Sequence, residues 1–213
     1  MWRSNKFFII FADMKQMDID IFNLCDEQPE PLKGSLLVAR PTVEDLFFGR
    51  TVIAMMHHDH EGSMGLILNA LTSYTLNEVV DGLTLCEEVP VYLGGPVNMD
   101  LVFYMHNLGP EVIPDAEQIA EGLYLGGEFD AVKQYLNSGE PVVNHFRFFV
   151  GYSGWDAGQL ASEIARHDWV VLDDKDADWM INHPTGNMWE DVVSSFGDRY
   201  RLWKNWPDSP SEN

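Results

Sequence analysis

The stretch Phe148-Phe-Val-Gly-Tyr-Ser-Gly-Trp-Asp-Ala-Gly-Gln-Leu160 decides the fold. Its apolar run ends at Gly151 and a polar helical pattern follows within six residues, which predicts a strand, a tight turn and a helix. Asp156 is the predicted N-cap of that helix, and Gln159 stands at capping-box spacing from it. The turn either offers backbone N–H groups to an anion or a partner, or is a structural corner that places Trp155 in the core. We favour the structural corner.

The composition indicates a cytoplasmic protein with one domain. The chain has 213 residues, 46% of them hydrophobic, which is enough for a core of its own. No apolar run approaches the roughly 18 residues that a membrane span needs. The apolar run 7–12 is shorter than the roughly 7–15 residues of a secretory signal and ends at Asp13. Two distant cysteines, Cys25 and Cys86, are expected to be reduced thiols.

The charge is strongly acidic and unevenly distributed. Thirteen basic residues face 34 acidic ones, for a net charge of −21, and residues 51–132 contain no Lys or Arg at all. Affinity for DNA comes largely from Lys and Arg contacts to phosphate. We therefore expect no direct DNA binding and no attraction to anionic membranes.

Three regions differ in composition. Residues 1–31 form an N-terminal extension that is either partly disordered or a gene-start artefact, because Met17 would also serve as an initiator. Residues 32–204 form the compact domain, and residues 205–213 a flexible tail rich in Pro and Ser. Strands and short helices mix without βαβ regularity, so the predicted fold class is α+β with a mainly antiparallel sheet.

Local patterns predict the elements of that domain. Strands are expected at 35–39, 51–56, 64–69, 91–93, 101–106, 122–126 and 169–172. Helices or helical turns are expected at 42–49, 75–80, 116–121, 128–136, 157–166 and 187–196, with an acidic turn at 173–178. Thr75 with Glu78 has the spacing of a capping box.

The histidine-rich segment 57–61 raises the possibility of a metal site. His58 and His60 would share one face of an extended strand, and His106 is available as a third ligand. The alternative is a solvated turn next to Gly62, since the segment matches neither HExxH nor a spaced Cys/His set. We favour the turn and expect no metal or other cofactor.

Ser153 raises the possibility of a nucleophile. The hydrolase elbow is GxSxG, and here Trp155 stands where the second glycine belongs. A triad would also need a histidine and an acid that the sequence alone does not assign. The segment 94–97 lacks the Lys-Ser/Thr of a phosphate-binding loop, so nucleotide binding is not expected either.

Five segments in order resemble the YqgE/AlgH family of bacterial proteins. They are Leu36-Leu-Val-Ala-Arg-Pro41, Phe48-Gly-Arg-Thr-Val-Ile53, His58 with Glu61-Gly-Ser-Met-Gly-Leu-Ile-Leu-Asn69, Pro90-Val-Tyr-Leu-Gly-Gly-Pro-Val97 and Val150-Gly-Tyr-Ser-Gly-Trp-Asp-Ala-Gly-Gln-Leu160. The resemblance implies a single α+β domain whose branched sheet folds into a pseudo-barrel with short helices outside. Some members are labelled transcriptional regulators, but no reaction or cofactor comes with the family. Leu71 stands where the family usually has proline.

Together these patterns favour a non-enzymatic regulatory or binding module that acts through a protein partner or a small ligand. The alternative is an enzyme, a hydrolase or a metal-dependent one, that uses His58 and Ser153. The residues expected to contact a ligand or partner are His58, Gly62, Asn69, Gly94, Gly95, Pro96, Tyr152, Ser153, Trp155 and Gln159.

Overall fold

Ten strands and six short helices form the computed structural model, which describes residues 28–83, 85, 88–197 and 200–206. The strands are β1 Leu36–Ala39, β2 Val52–His58, β3 Gly62–Ile67, β4 Leu71–Thr75, β5 Pro90–Leu93, β6 Val97–His106, β7 Glu117–Ala120, β8 Leu123–Leu125, β9 Phe146–Asp156 and β10 Trp169–Leu172. The helices are α1 Leu76–Val79, α2 Phe129–Asn137, α3 Gln159–Ala165, α4 Ala177–Asn182, α5 Met188–Ser195 and α6 Arg201–Lys204.

The sheet branches at β9, its longest strand. The main path runs β10-β1-β2-β3-β9-β6-β8-β7, with neighbours antiparallel. Residues 148–150 of β9 also pair with β5 in parallel, and β5 in turn pairs with β4. Residues 153–156 of β9 pair with β3 instead. One strand therefore pairs with three neighbours, and the predicted tight turn at 151–155 is wrong, because those residues continue β9 as far as Asp156.

Apolar side chains fill both faces of the β10-β1-β2-β3 part of the sheet. Leu36 and Val38 point to one face, where they pack against α4, α5 and α6. Leu37 and Ala39 point to the other face, where they join Trp155, Trp169 and the α3 side. Because both faces are covered, these strands are continuous apolar runs rather than alternating ones.

A second cluster covers the other part of the sheet. Leu76 of α1 and Val132 of α2 pack there against the N-terminal half of β9 and against β5. Helix α2 presents Val132 and Leu136 on one stripe, which is the helical spacing that its sequence predicts. The helices thus lie outside a central branched sheet.

These features confirm the α+β class, the single domain with a mainly antiparallel branched sheet, and the external helices. The predicted pseudo-barrel is wrong, because the described strands run in an open order from β10 to β7 and the sheet is not closed. Most of the predicted N-terminal extension, residues 1–27, and the tail from residue 207 lie outside the described residues.

Within the described part of the chain, no helix combines the length and apolar character needed to cross a bilayer.

Several local predictions were wrong. The predicted helical turn at 116–121 is wrong, because Glu117–Ala120 forms strand β7, whose pairing with β8 overrides the weak local signal. Segment 42–49 contains turns and no helix, and the acidic turn ends early because Asp176 caps α4. Helix α3 is preceded by Gly158 in the left-handed conformation, so Asp156 is not its N-cap.

Candidate functional site

The branch point of the sheet is held by backbone hydrogen bonds around Gly94. Its N–H donates to the Val150 carbonyl at 2.9 Å, and its carbonyl accepts from the Ile67 N–H at 3.0 Å. A Cβ at Gly94 would lie less than 3.0 Å from the Gly151 carbonyl, and one at Gly95 equally close to the Tyr152 backbone. The two candidate glycines therefore allow three strands to approach each other, and both are buried.

Ser153 of β9 lies at the same branch point. Its side chain is fully buried, and its hydroxyl donates to the Gly94 carbonyl at 3.0 Å. A nucleophile must reach a substrate, and a buried hydroxyl already used by a backbone carbonyl does not. The placement of Ser153 gives no support to the elbow, and His58 has a different hydroxyl partner, Ser63.

Trp155 and Gln159 meet at a carboxylate that the sequence did not single out. Glu163 accepts the indole N–H of Trp155 and that of Trp169 on one oxygen, both at 2.8 Å. Its other oxygen accepts from the Gln159 amide at 2.9 Å, and Gln159 accepts from the Asp156 N–H at 3.0 Å. The spacing of Gln159 and Glu163 on one helix face was the available signal. This network ties β9, α3 and β10 together.

Asn69 also has a structural role. Its side-chain oxygen accepts from the Val52 N–H at 2.9 Å, and its amide donates to the Arg50 carbonyl at 2.9 Å. The side chain thus completes the backbone bonding at the start of β2, where the strand pairing ends.

Pro96 and Tyr152 lie on a more open face of the branch point. Both are half-buried, and the Tyr152 ring packs edge-on against Phe103 with centroids 5.6 Å apart. Nearby on β6, Met99 and Leu101 are about half exposed. These two candidates remain partly accessible.

His58 lines a cleft at the tip of the β2–β3 hairpin, whereas the candidate residue Gly62 does not line it. We call it the hairpin cleft; its volume is about 800 Å³, and it is lined by Glu30, Pro31, Leu32, Lys33, His58, Asp59, His60, Ser63, Gly158, Leu160 and Ala161. His58 and Ser63 are cross-strand partners, and the His58 Nδ1 lies 2.7 Å from the Ser63 Oγ. A hairpin register read from the sequence would have paired them, which is how Ser63 could have been found.

Asp59 shapes the turn at the rim of the hairpin cleft. Its carboxylate accepts from the Glu61 N–H at 2.8 Å and the Gly62 N–H at 3.2 Å. The Glu61 bond is the main reason that the pKa of Asp59 is lowered, with His57 3.0 Å away adding to it. Asp59 is therefore a turn-forming residue, as the solvated-turn interpretation expects.

The expected third metal ligand lies elsewhere. His106 is fully buried, stacked on Tyr124 and beside Phe146, with its Nε2 2.9 Å from the Gly126 carbonyl. Burial lowers its pKa. Among the described residues, no group of three or more His, Cys, Asp or Glu side chains is placed to hold a metal ion. His58 and His60 do share the hairpin cleft, but not with His106.

Comparisons with known proteins find similar sequences over most of the chain. A family model described as AlgH-like matches residues 36–201. A UPF0301 protein of Bacteroides thetaiotaomicron is 37% identical over 197 residues, which are 92% of this chain and 99% of that protein. A UPF0301 protein of Bacteroides fragilis is 36% identical over 197 residues, again 92% of this chain and 99% of that protein.

Solved structures resemble the whole domain. A crystal structure of a Corynebacterium diphtheriae protein matches with a TM-score of 0.69 and 26% identity, over 86% of this chain and 96% of that one. The solution structure of the AlgH protein from Pseudomonas aeruginosa matches with a TM-score of 0.66 and 27% identity, over 84% of this chain and 96% of that one. Neither description names a reaction, ligand or partner.

Proposed function

The chain belongs to the AlgH-like family, and from that premise we propose that it is a cytoplasmic, non-enzymatic binding module with a regulatory role, which takes a small polar ligand into the hairpin cleft. The observation that carries the proposal is the cleft itself. Its volume of about 800 Å³ lies within the range of small-molecule sites, which is roughly 300–1,000 Å³.

The lining of the hairpin cleft suits an organic molecule with polar groups. Pro31, Leu160 and Ala161 supply apolar wall, while His58 and His60 supply ring nitrogens that donate or accept. The bond from His58 to Ser63 fixes the orientation of the imidazole, so its second nitrogen is presented in one direction. Fixed polar groups on an apolar wall give orientation and specificity to a bound ligand.

The acidic charge supports regulation through a ligand rather than through DNA. With a net charge of −21, the chain as a whole repels phosphate backbones. A ligand-dependent change at the hairpin cleft would have to be passed on to another protein.

A ligand screen on cleft-filling variants tests the proposal. Ala161 lines the hairpin cleft and is exposed, so Ala161→Trp fills the cleft without disturbing the core. Ala165→Trp places the same side chain at an exposed position of α3 that does not line it. Polar metabolites are screened for thermal stabilisation of the three proteins. We expect stabilisation of the wild type and Ala165→Trp by at least one compound, and none of Ala161→Trp. Equal responses in all three, or no response, would count against the cleft.

One contact favours a second candidate function. The pair of His58 Nδ1 and Ser63 Oγ has the 2.7 Å separation of a base and a nucleophile, and both residues line the hairpin cleft. As a hydrolase, the protein would cleave activated esters and lose that activity in Ser63→Ala but not in Ser162→Ala on the surface of α3. If the wild-type protein hydrolysed no activated ester, the hydrolase proposal would fail and the binding-module proposal would stand.

A further inference from the structure

Arg147 on β9 is a buried cation that the hairpin cleft does not use. Only 3% of the residue is exposed. Its Nη1 donates to the Met180 carbonyl at 2.8 Å, its Nη2 donates to the His183 carbonyl at 3.0 Å, and its guanidinium lies 4.5 Å from the centre of the Tyr92 ring. These contacts hold the end of α4 against the sheet.

The charge of Arg147 has no carboxylate partner in the part of the chain that the structure describes. No ion pair to it is found there, and its Nε has no hydrogen-bond partner there either. Burial lowers the pKa of Arg147, and Tyr92 partly offsets this. A buried charge is costly unless it is paired, and arginine stays protonated rather than neutralise. The described carboxylates thus leave this buried cation of β9 unpaired.

Arg147 lines a cavity of about 300 Å³. We call it the Arg147 cavity; it is lined by Val89, Pro90, Tyr92, Val143, Phe146, Arg147, Ile181, Asn182, His183, Pro184, Thr185 and Gly186. The described residues of that lining include no Asp or Glu, and about half of them are apolar. It shares no residue with the hairpin cleft.

We propose that the Arg147 cavity binds a small organic monocarboxylate, which pairs with the guanidinium through its carboxylate and lays its apolar body against Val89, Val143 and Ile181. Arginine prefers planar two-oxygen acceptors, and its one positive charge balances a monoanion. Inorganic phosphate suits the cavity less, because it would carry excess charge and no apolar part into an apolar wall. Asn182, whose amide donates to Asp178 at 2.7 Å, and Thr185 are polar residues of the same lining.

The test uses benzoate and isobutyrate as probes, with benzamide and inorganic phosphate as controls. Binding is followed by amide and arginine Nε–H shifts in the NMR spectrum of the full chain. We expect the two carboxylates to shift the Arg147 resonance and to bind at least about tenfold more tightly than benzamide or phosphate. Replacing Arg147 itself risks unfolding the protein. The test therefore uses a substitution at another residue of the cavity lining.

Val143→Trp is that substitution, because Val143 is 46% exposed and lines the cavity. Val112→Trp is its match, since Val112 is 41% exposed and lies outside the cavity. Val143→Trp should weaken benzoate binding by at least about tenfold, and Val112→Trp should not change it. The proposal is overturned if neither carboxylate binds, if benzamide or phosphate binds as well as benzoate, or if Val143→Trp binds benzoate like the wild type.

Discussion

Gly94 and Gly151 lie back to back where three strands of the sheet meet. A Cβ on either would lie less than 3.0 Å from backbone oxygen of the other segment, and Gly151 also has a φ of +67°. Backbone cannot move aside as a flexible side chain can, so any side chain here forces the strands apart. The close approach of the strands is therefore sufficient reason for the glycines at the branch point, without a ligand or partner.

Gly94→Ala should lower the free energy of unfolding by about 2–4 kcal/mol, because the added methyl overpacks three paired strands. Urea denaturation measures the difference. Gly186→Ala is the matched control, since nothing lies within 4 Å of the methyl it would add. A similar loss in both variants would show that the branch point is not strained by a methyl group.

His106 should make stability depend on pH. Burial lowers its pKa in the folded protein below the ordinary value of 6.5, so the unfolded chain binds a proton more readily. The contribution of His106 to stability is complete above pH 6.5 and is lost as the pH falls through that value towards the folded pKa. The free energy of unfolding should therefore decline below about pH 6.5.

Urea titrations between neutral and mildly acidic pH check this. His106→Gln should be less stable overall but should flatten the decline, whereas His60→Gln, at an exposed position of the hairpin, should keep it. An unchanged slope in His106→Gln would assign the pH dependence to other groups.

The limits of prediction are clearest at Ser153. The placement of Trp155 in the core was predicted correctly, but the predicted tight turn at Ser153 was wrong, because β9 continues through it to Asp156. The burial of Ser153 was not predictable, because it depends on Gly94, which is distant in the sequence and reaches Ser153 only through the β5–β9 pairing. A local motif does not reveal which side chains a distant strand covers.

At the scale of elements, Glu163 joins β9, α3 and β10. Glu163→Ala should cost about 2–4 kcal/mol, since it leaves two buried indole N–H groups without an acceptor. Urea denaturation and tryptophan fluorescence both report the change. Ser162→Ala, at an exposed position on the same helix, should cost little. A loss no greater than that of Ser162→Ala would mean that the carboxylate does not hold α3 in place.

Elements with strong local signals were predicted correctly, as β1, β2, β10 and α2 show. The Thr75–Glu78 capping box is present, with the Thr75 N–H 2.7 Å from the Glu78 carboxylate. Strand β4 and helix α6 were missed, because their short segments carry little periodicity of their own. The parallel pairing of β5 with β9 could not be predicted from the sequence either, since it is decided by the packing of the whole sheet.

At the scale of the whole molecule, the charge predicts behaviour towards nucleic acid. The protein should not bind duplex DNA even at low salt, because a net charge of −21 leaves few cations to displace counterions. Fluorescence anisotropy with labelled promoter fragments measures this. Binding that weakens steeply as salt rises would show a basic face and would restore direct DNA contact as the mode of regulation.

The central claim is that the hairpin cleft binds a ligand while the branch point holds the sheet together. Hydrogen-exchange mass spectrometry, with and without the small-molecule fraction of a cell extract, tests it most directly. The account predicts slower exchange in residues 57–63 and 158–161 of the wild type and of Ala165→Trp, and no such change in Ala161→Trp. Unchanged exchange in both segments of the wild type, or protection that persists in Ala161→Trp, would contradict it.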